Sequence, residues 1–346
     1  MRNLGTINGG LVTPQGMGLR VTDAAPQRIT DAAIASGNAF LTSELEKRDP
    51  LVRQPLTSVT YTRDLPMKVG GGWVEKLSAL YIDFGINGGS GNGLVTAGGA
   101  NGAQVIQANL GKDIFSTHEF TTVMRIKFAD MMRQQITGQS LDRLLTDGVR
   151  LAYDKHMDAN AYVGLSDYGT TGLVNNDTVY ATDVAGNGAS PATTEWTTKT
   201  ADQILADVNE LLTAVWTAGG YDLAAIPNHL LLPYAQYTYI ATTKVGTYND
   251  KTILAFLLEN NITKMNGGEL VIGATRYCAG AGDSASDRMV AYVHDDRFLA
   301  LEELAPLARV MTQPNTDAIA YDSVYMANIS EVELFYTQTI QYRDGI

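Results

Sequence analysis

Histidine, cysteine and paired carboxylates are the side chains best able to bind metals or to catalyse reactions, and this chain has four histidines and one cysteine. His156 lies between Asp154 and Asp158, but residues two apart on a helix do not share a face, so the three make a poor metal site. The run 294–296 (His-Asp-Asp) offers cation ligands, but it lies between two predicted strands, where a polar turn is expected. We predict a solvated helix surface at the first place and a polar turn at the second.

The other chemical patterns are weaker. The glycine run 88–93 (GGSGNG) lacks the spacing of a dinucleotide-binding loop, and no P-loop lysine follows it. His118 and Glu119 are neighbours in a predicted strand and therefore face opposite sides. Cys278 stands alone, which excludes an intramolecular disulfide and a multi-cysteine zinc site and favours a buried thiol. The sequence therefore predicts no catalytic, cofactor-binding or metal-binding residue, and a protein that is not an enzyme.

Composition narrows the classes of function. The 346 residues carry a net charge of −12 and no cluster of Lys and Arg, so tight or sequence-specific binding of nucleic acid is not expected. No apolar run approaches the ~20 residues that span a bilayer, and the N-terminus lacks a signal-peptide pattern, so we expect no membrane and no export. Only 18% of the residues are charged and 34 are glycine, which suits a surface covered by neighbouring molecules.

One long helix is the element on which the others must pack. Residues 140–163 form an amphipathic pattern that begins at the N-cap candidate Ser140 and stops at Gly164. The predicted apolar stripe comprises Leu141, Leu144, Leu145, Leu151, Ala152, Ala159, Tyr162 and Val163. The residues predicted to face solvent are Arg143, Thr146, Asp147, Arg150 and Asp154.

The chain before this helix is predicted to contain a flexible two-stranded arm. Residues 69–111 are rich in glycine around a possible strand at 77–84, and residues 114–124 alternate cleanly as a long strand. A loop of about 40 residues is unusual inside a compact domain and indicates contact with a partner. The other elements predicted here are a polar arm over 1–38, a helix over 39–47, a strand over 57–63 and a helix over 128–136.

After the long helix we predict an α/β lobe over 177–300 and a β-rich tail. Thr200 and Gln203 match a capping box at the start of a helix that runs to Ala218. The lobe's other predicted elements are strands over 229–232, 270–275 and 289–293 and helices over 234–242 and 251–260. The tail has predicted strands over 321–327 and 331–342, which should pair with strand 114–124. That pairing would build one domain from two distant pieces of chain.

Two short stretches, together with the order of elements, carry a resemblance to a known family. The long helix ends in the sequence 158–164 (DANAYVG), and a Gly-Leu-Val-Asn turn follows at 172–175. The segment 40–85 also looks like a phage-coat family. The sequence thus resembles the major capsid proteins of tailed bacteriophages, which have the HK97-type fold that encapsulin shells share. The fold class implied is α+β.

The resemblance implies a division of the chain into parts with different roles. These are an N-terminal arm over 1–55, an extended loop (E-loop) with flanking strands over 56–113, a peripheral (P) domain over 114–172 with the spine helix at about 140–163, an axial (A) α/β domain over 173–301, and C-terminal strands over 302–346 that return to the P-domain. The E-loop would lie over a neighbouring subunit. The candidate contact residues are Gly70, Gly71, Trp73, Lys76, Tyr81, Phe84, Gly88, Gly91, Phe40 and Leu41.

The function implied is self-assembly into pentamers and hexamers that form the icosahedral shell of a virion around double-stranded phage DNA. Assembly would take place in the bacterial cytoplasm. Because the N-terminal arm is short, we expect a separate scaffolding protein, with a portal and decoration proteins as further partners. Two alternatives stay open: an encapsulin-like compartment that holds a protein cargo, and an unrecognised α/β enzyme that forms a small oligomer.

Overall fold

Two five-stranded sheets and one long helix form the framework of the computed structural model, which describes residues 58–87, 105–137, 141–246 and 249–346. The strands are β1 Met67–Val69, β2 Lys76–Asn87, β3 Val105–Lys127, β4 Ala181–Asp183, β5 His229–Leu232, β6 Lys244–Gly246, β7 Asn249–Thr252, β8 Val271–Ala274, β9 Arg288–Tyr292, β10 Leu299–Asn315, β11 Ala320–Leu334 and β12 Ile340–Asp344. The α-helices are α1 Tyr61–Asp64, α2 Phe128–Thr137, α3 Leu141–Tyr162, α4 Ala201–Ala218, α5 Tyr234–Thr242, α6 Ile253–Glu259 and α7 Ile262–Met265. The first sheet has the order β1-β10-β11-β3-β2 and the second β4-β12-β9-β5-β8. The mixed architecture agrees with the predicted α+β class.

The longest strand, β3, joins an extended arm to the body of the first sheet. All 12 residues of β2 pair with the first half of β3 in an antiparallel hairpin. The second half of β3 pairs with β11. At about 3.4 Å per residue, the 23 residues of β3 span roughly 75 Å. The predicted two-stranded arm and the predicted pairing of strand 114–124 with the C-terminal part of the chain are both confirmed.

The predicted long helix is α3, and the Gly-Leu-Val-Asn turn caps its end. The last carbonyls of a helix need partners from outside it. The backbone N–H of Leu173 donates to the carbonyl of Ala161 at 3.0 Å, and the side-chain amide of Asn175 donates to the carbonyl of Val163 at 2.8 Å. Gly172 is required because a Cβ there would lie 2.3 Å from the carbonyl carbon of the helix's last residue. The turn therefore folds back on the helix before the chain enters the second lobe.

The buried face of α3 differs from the predicted stripe. The fully buried side chains lie in the C-terminal half and include two polar ones: Tyr153, Met157, Asp158, Asn160, Ala161 and Tyr162. Ala152 and Val163, which the apolar pattern places inside, are exposed. The N-terminal half contacts the sheet through polar groups, since the hydroxyls of Thr146 and Tyr325 lie 3.1 Å apart. Apolar periodicity does not locate this face because hydrogen-bonded polar groups are buried in it as well.

The strand predicted over 57–63 is wrong, because Tyr61–Asp64 form α1. Asp158 of α3 is the cause. Its Oδ1 accepts the backbone N–H groups of Thr60 at 2.8 Å and of Tyr61 at 3.2 Å, which a first helical turn leaves without partners. This contact between distant segments overrides the strand preference of a short β-branched run. The polar arm at 1–38, the helix at 39–47 and residue 57 lie outside the described residues.

The second lobe has the predicted elements. At the start of α4, the Gln203 side chain accepts the N–H of Thr200 at 2.9 Å, and the Thr200 hydroxyl accepts the N–H of Gln203 at 3.4 Å, which confirms the capping box. The predicted strands appear as β5, β8 and β9, and the predicted helices as α5 and the shorter α6. The core of this lobe lies between α4 and the second sheet.

The last strand departs from the prediction. A single strand over 331–342 is wrong, because β11 ends at Leu334 and a turn separates it from β12. β12 pairs with β9 and β4 in the second sheet rather than returning to the first. A buried ion pair holds it there: the Arg288 guanidinium binds both oxygens of Asp344, at 2.6 and 2.8 Å. Side-chain alternation alone does not indicate which sheet a strand joins.

A buried carboxylate joins the two lobes near the start of the described chain. Asp64 is fully buried, and its two oxygens bind the Arg63 guanidinium at 2.6 and 2.8 Å. The Tyr162 hydroxyl at the end of α3 donates to the same carboxylate. The Tyr292 hydroxyl of β9 donates to the backbone carbonyl of Asp64 at 2.5 Å, and Arg63 donates to the carbonyl of Ala274 in β8 at 3.2 Å. One network, the Asp64 network, thus connects α1, α3 and the second sheet.

Replacing Tyr162 by Phe tests the Asp64 network, because it removes the hydroxyl and keeps the ring. Burial and then the Asp64 carboxylate raise the pKa of Tyr162 above its ordinary value, so the hydroxyl keeps its proton and donates. Loss of a hydrogen bond to a buried charged group costs about 1.5–3 kcal/mol. We expect the free energy of unfolding to fall by about 2 kcal/mol in chemical denaturation of the unassembled Tyr162→Phe subunit.

Tyr168→Phe is the matched control, because Tyr168 is 71% exposed. Its effect should stay within about 0.5 kcal/mol. Equal losses in the two variants would show that the buried hydroxyl has no special part in stability.

Candidate subunit-contact surface

The arm begins at a joint of three consecutive glycines. Gly70, Gly71 and Gly72 have φ angles of 127°, 116° and 78°, which residues with a side chain rarely adopt. The N–H groups of Gly70 and Gly72 donate to the carbonyls of Glu303 and Leu304 in β10, each at 3.0 Å. A Cβ on Gly71 would lie 2.7 Å from Cδ2 of Leu304. The joint therefore needs glycine for its backbone shape, and at Gly71 a side chain would also have to displace the tip of Leu304.

Side chains of the first sheet hold the start of the arm. The Asn328 amide donates to the carbonyls of Gly72 at 3.2 Å and of Val74 at 3.0 Å. The Thr117 hydroxyl donates to the same Val74 carbonyl at 2.6 Å. N-terminal to Thr117, β3 pairs with β2 and not with β11. The arm is thus fixed at its root and extends beyond the body of the sheet.

One face of the arm is apolar and exposed. Residues directly opposite in an antiparallel pair share a face, and Ile82 lies opposite Leu110, Leu80 opposite Lys112 and Phe84 opposite Ala108. The apolar side chains of this face and their exposed fractions are Leu80 68%, Ile82 58%, Phe84 66%, Leu110 63% and Ile114 58%. We call these five residues the apolar arm face. Lys112 lies among them. An exposed apolar surface of this kind makes the face a candidate for contact with another molecule.

The opposite face of the arm is partly covered by the arm itself. Tyr81 lies across from Gly111, and its ring fills the space a side chain would take, since a Cβ on Gly111 would lie 2.0 Å from Tyr81 Cζ. Asp113 is half-buried on the same side. The two faces therefore differ in chemistry, and only one offers a run of large aliphatic and aromatic side chains.

The contact candidates from the sequence fall in different places. Phe84 belongs to the apolar arm face, while Trp73 and Lys76 are exposed near the root. Gly70 and Gly71 form the glycine joint. The candidates Phe40, Leu41, Gly88 and Gly91 lie outside the described residues. Sequence reasoning misses Leu80, Ile82, Leu110 and Ile114, although the alternation from residue 80 to residue 84 is the pattern that could have found the first two.

His156 is not on a solvated surface, so that prediction is wrong. Its side chain is half-buried, and the centroid of its ring lies 5.2 Å from that of Phe120 in β3. Burial and then the neighbouring His118 lower the pKa of His156 below its ordinary value. The imidazole therefore packs between helix and sheet as a neutral ring.

The run 294–296 forms a polar turn, as predicted, with its own internal partners. The Asp295 carboxylate binds the Arg297 guanidinium at 2.7 Å, and this partner holds the pKa of Asp295 at about 2. His294 stacks on His229, with 4.3 Å between ring centroids. The run therefore contributes to an ion pair and a ring stack, although its residue types could also have bound a cation.

The remaining chemical candidates are structural. Cys278 is buried, as predicted, and burial raises the pKa of its thiol above the ordinary value. Within the part of the chain that the structure describes, no group of three or more His, Cys, Asp or Glu side chains is placed to hold a metal ion. Among the same residues, no helix is long and apolar enough to cross a membrane.

Comparisons with known proteins agree with this architecture. A profile of the family described as "Major capsid protein" matches residues 92–346, which is most of the chain. No curated protein sequence matches.

Solved structures of shells share the fold. The capsid of Myoviridae Phage XM1 is 14% identical with a TM-score of 0.71, and the match covers 88% of this chain and 98% of that one. The capsid of the native GTA particle is 12% identical with a TM-score of 0.60, covering 91% and 99%. A chain of Microbacterium phage Oxtober96 is 10% identical with a TM-score of 0.58, covering 89% and 97%. Likeness at such identities shows the fold, which is the predicted HK97-type capsid fold.

The glycine joint can be tested with Gly71→Ala. The new side chain meets both a backbone angle that disfavours it and the Leu304 side chain. Strain of this kind costs about 1–3 kcal/mol, and we expect a loss of that size in the free energy of unfolding, measured by chemical denaturation of the unassembled subunit.

Gly148→Ala provides the control, because Gly148 lies within α3 and a Cβ there meets nothing within 4 Å. Alanine in a helix is more stable than glycine by about 0.5–1 kcal/mol, so this variant should gain stability. If Gly71→Ala were neutral or stabilising, the joint would not require glycine.

Proposed function

The chain belongs to the Major capsid protein family, and from that premise we propose how its arm takes part in building a shell. As a member of this family it is a structural subunit that self-assembles into the capsid of a virion. The finer proposal is that copies group into pentamers and hexamers that close into an icosahedral shell around double-stranded phage DNA. Assembly in the cytoplasm of the bacterial host belongs to the same proposal.

The apolar arm face is the observation that carries this proposal. It leaves five large apolar side chains exposed to water, and burying each one fully would contribute about 1.5–3 kcal/mol. An isolated subunit keeps this unfavourable surface, whereas a neighbouring copy that covers it gains the burial energy. The surface beneath the arm would be a different part of the neighbour, so the contact is heterologous, and such contacts form rings when the rotation between neighbours closes. Trp73 and Lys76 at the arm root are proposed to lie at the rim of the same contact.

The net negative charge of the chain supports a role in enclosing DNA without binding it tightly. The chain has a net charge of −12, and binding to the phosphate backbone depends on clustered Lys and Arg. A subunit with an excess of acidic over basic residues has little overall attraction for packaged DNA. A separate scaffolding protein, a portal and decoration proteins are proposed as further partners, and no membrane is proposed. Finding DNA in purified particles would agree with this assignment, whereas finding a protein cargo would favour an encapsulin-like compartment.

Replacing Ile82 by Asp places a charge in the middle of the apolar arm face. Burying an unpaired carboxylate in an interface is strongly unfavourable, so assembly should require at least about tenfold more protein, which corresponds to about 1.4 kcal/mol per contact. Sedimentation velocity and negative-stain microscopy should show folded, unassembled subunits under conditions in which the parent chain forms shells.

Gln107→Glu is the matched control, because Gln107 is exposed in the same hairpin and lies opposite Gly85, on the face of the arm opposite to Ile82. It adds the same charge and should leave shell formation intact. Shells formed equally well by Ile82→Asp would count against the proposed contact, and monomers or dimers from the parent chain under all assembly conditions would count against the shell itself.

A further inference from the structure

We propose that Glu333 and Glu302 form a proton-controlled joint at the root of the arm. The joint is closed while Glu333 is neutral and loosens when Glu333 ionises. Its consequence for assembly rests on the role of the arm proposed above, whereas the joint itself is a property of the single subunit.

Glu333 is buried in a place that suits a neutral acid. It lies in β11, directly opposite Ala300 of β10, and is only 3% exposed. Its Oε1 is buried and has no hydrogen-bond partner among the described residues. Burial that leaves one carboxylate oxygen without a donor penalises the ionised form more than the neutral acid. The site therefore favours the protonated form.

The charges around Glu333 come from three strands. Glu302 projects from β10, Glu331 lies on β11 itself, and Lys68 of β1 stands across from Glu302. Lys68 is partly engaged elsewhere, because its Nζ donates to the Asp296 carbonyl at 3.2 Å and lies 5.6 Å from the centre of the Phe335 ring. The carboxylates of Glu302 and Glu331 thus lie near the buried acid, and the one nearby ammonium group, of Lys68, is partly engaged elsewhere.

These surroundings move the titration of Glu333 towards neutral pH. Burial first and Glu302 second raise the pKa of Glu333 from 4.5 to about 7, while Ser330 and Lys68 act in the opposite direction. Below pH 4.5 the acid is neutral in both the closed and the open joint, so the stability of the closed form is fully present. Between pH 4.5 and about 7 only the open form releases the proton, so the closed form loses stability as pH rises.

The same strands carry the anchor of the arm. β1 pairs with residues Leu301 to Glu303 of β10. The carbonyl groups of Glu303 and Leu304 also accept the N–H groups of Gly70 and Gly72. Repulsion between an ionised Glu333 and Glu302 therefore acts on the segment of β10 that fixes the glycine joint. Opening at this point would release the glycine joint from β10 while the β2–β3 hairpin and the pairing of β3 with β11 stay intact.

Hydrogen exchange of the unassembled full-length subunit tests the joint directly. The probes are backbone amides in β1 and in residues 299–304, compared at pH 5.5 and pH 8.5 after correction for intrinsic exchange. With the pKa of Glu333 at 4.5 when open and about 7 when closed, linkage predicts that local opening rises about thirtyfold between these two pH values. Glu333→Gln keeps the shape and removes the titration, so it should abolish the rise, and Glu331→Gln, which alters an adjacent carboxylate, should retain most of it.

A second variant keeps the proposal testable if Glu333→Gln fails to fold. Glu302→Gln leaves Glu333 in place and removes one cause of its raised pKa, so the midpoint of the opening transition should move to lower pH. The same pH response in the parent chain and in Glu333→Gln, or an unmoved midpoint in Glu302→Gln, would overturn the proposal. Failure of the chain to form shells would bear on the proposed function and would leave this measurement unaffected.

Discussion

The Asp64 network is the constraint on which the arrangement of this subunit depends. A carboxylate with no exposure to water is tolerated only when it is paired and hydrogen-bonded, and the partners of Asp64 come from α1, from the end of α3 and, through Arg63, from β8. Because these elements belong to different lobes, satisfying one charge also fixes how the lobes meet. α1 leads into β1 within a few residues, so the network also sets where the arm leaves the body.

The arm, in contrast to the Asp64 network, is only partly satisfied by contacts within the subunit. Two strands alone are only marginally stable in water, and this pair exposes the five side chains of the apolar arm face. It is held at its root by the glycine joint, by Asn328 and by pairing of β1 with β10. A rigid root and an uncovered face are the properties that a subunit needs if a neighbour is to complete it. The root acid Glu333 adds a group whose ionisation opposes the anchor.

The sequence predicts those parts of the fold that local physics determines. The long helix has a strong period and a glycine stop, the capping box at Thr200 satisfies helix N–H groups locally, and strand alternation marks the arm. Predictions fail where distant residues decide: Asp158 turns residues 61–64 into a helix, and the Arg288–Asp344 pair fixes β12 in the second sheet. The predicted face of α3 fails for the same reason, because Asp158 and Asn160 are buried with the apolar side chains.

The apolar arm face, which we propose as the contact surface, could be predicted only in part. Phe84 is predicted through the resemblance to capsid proteins. The strand register is needed to recognise that four further residues share its face: Leu80, Ile82, Leu110 and Ile114. The most direct test is a cryo-EM map of the assembled particle. We expect all five side chains of the apolar arm face to lie against a neighbouring copy and to be no longer exposed. A shell in which this face points into solvent would contradict it.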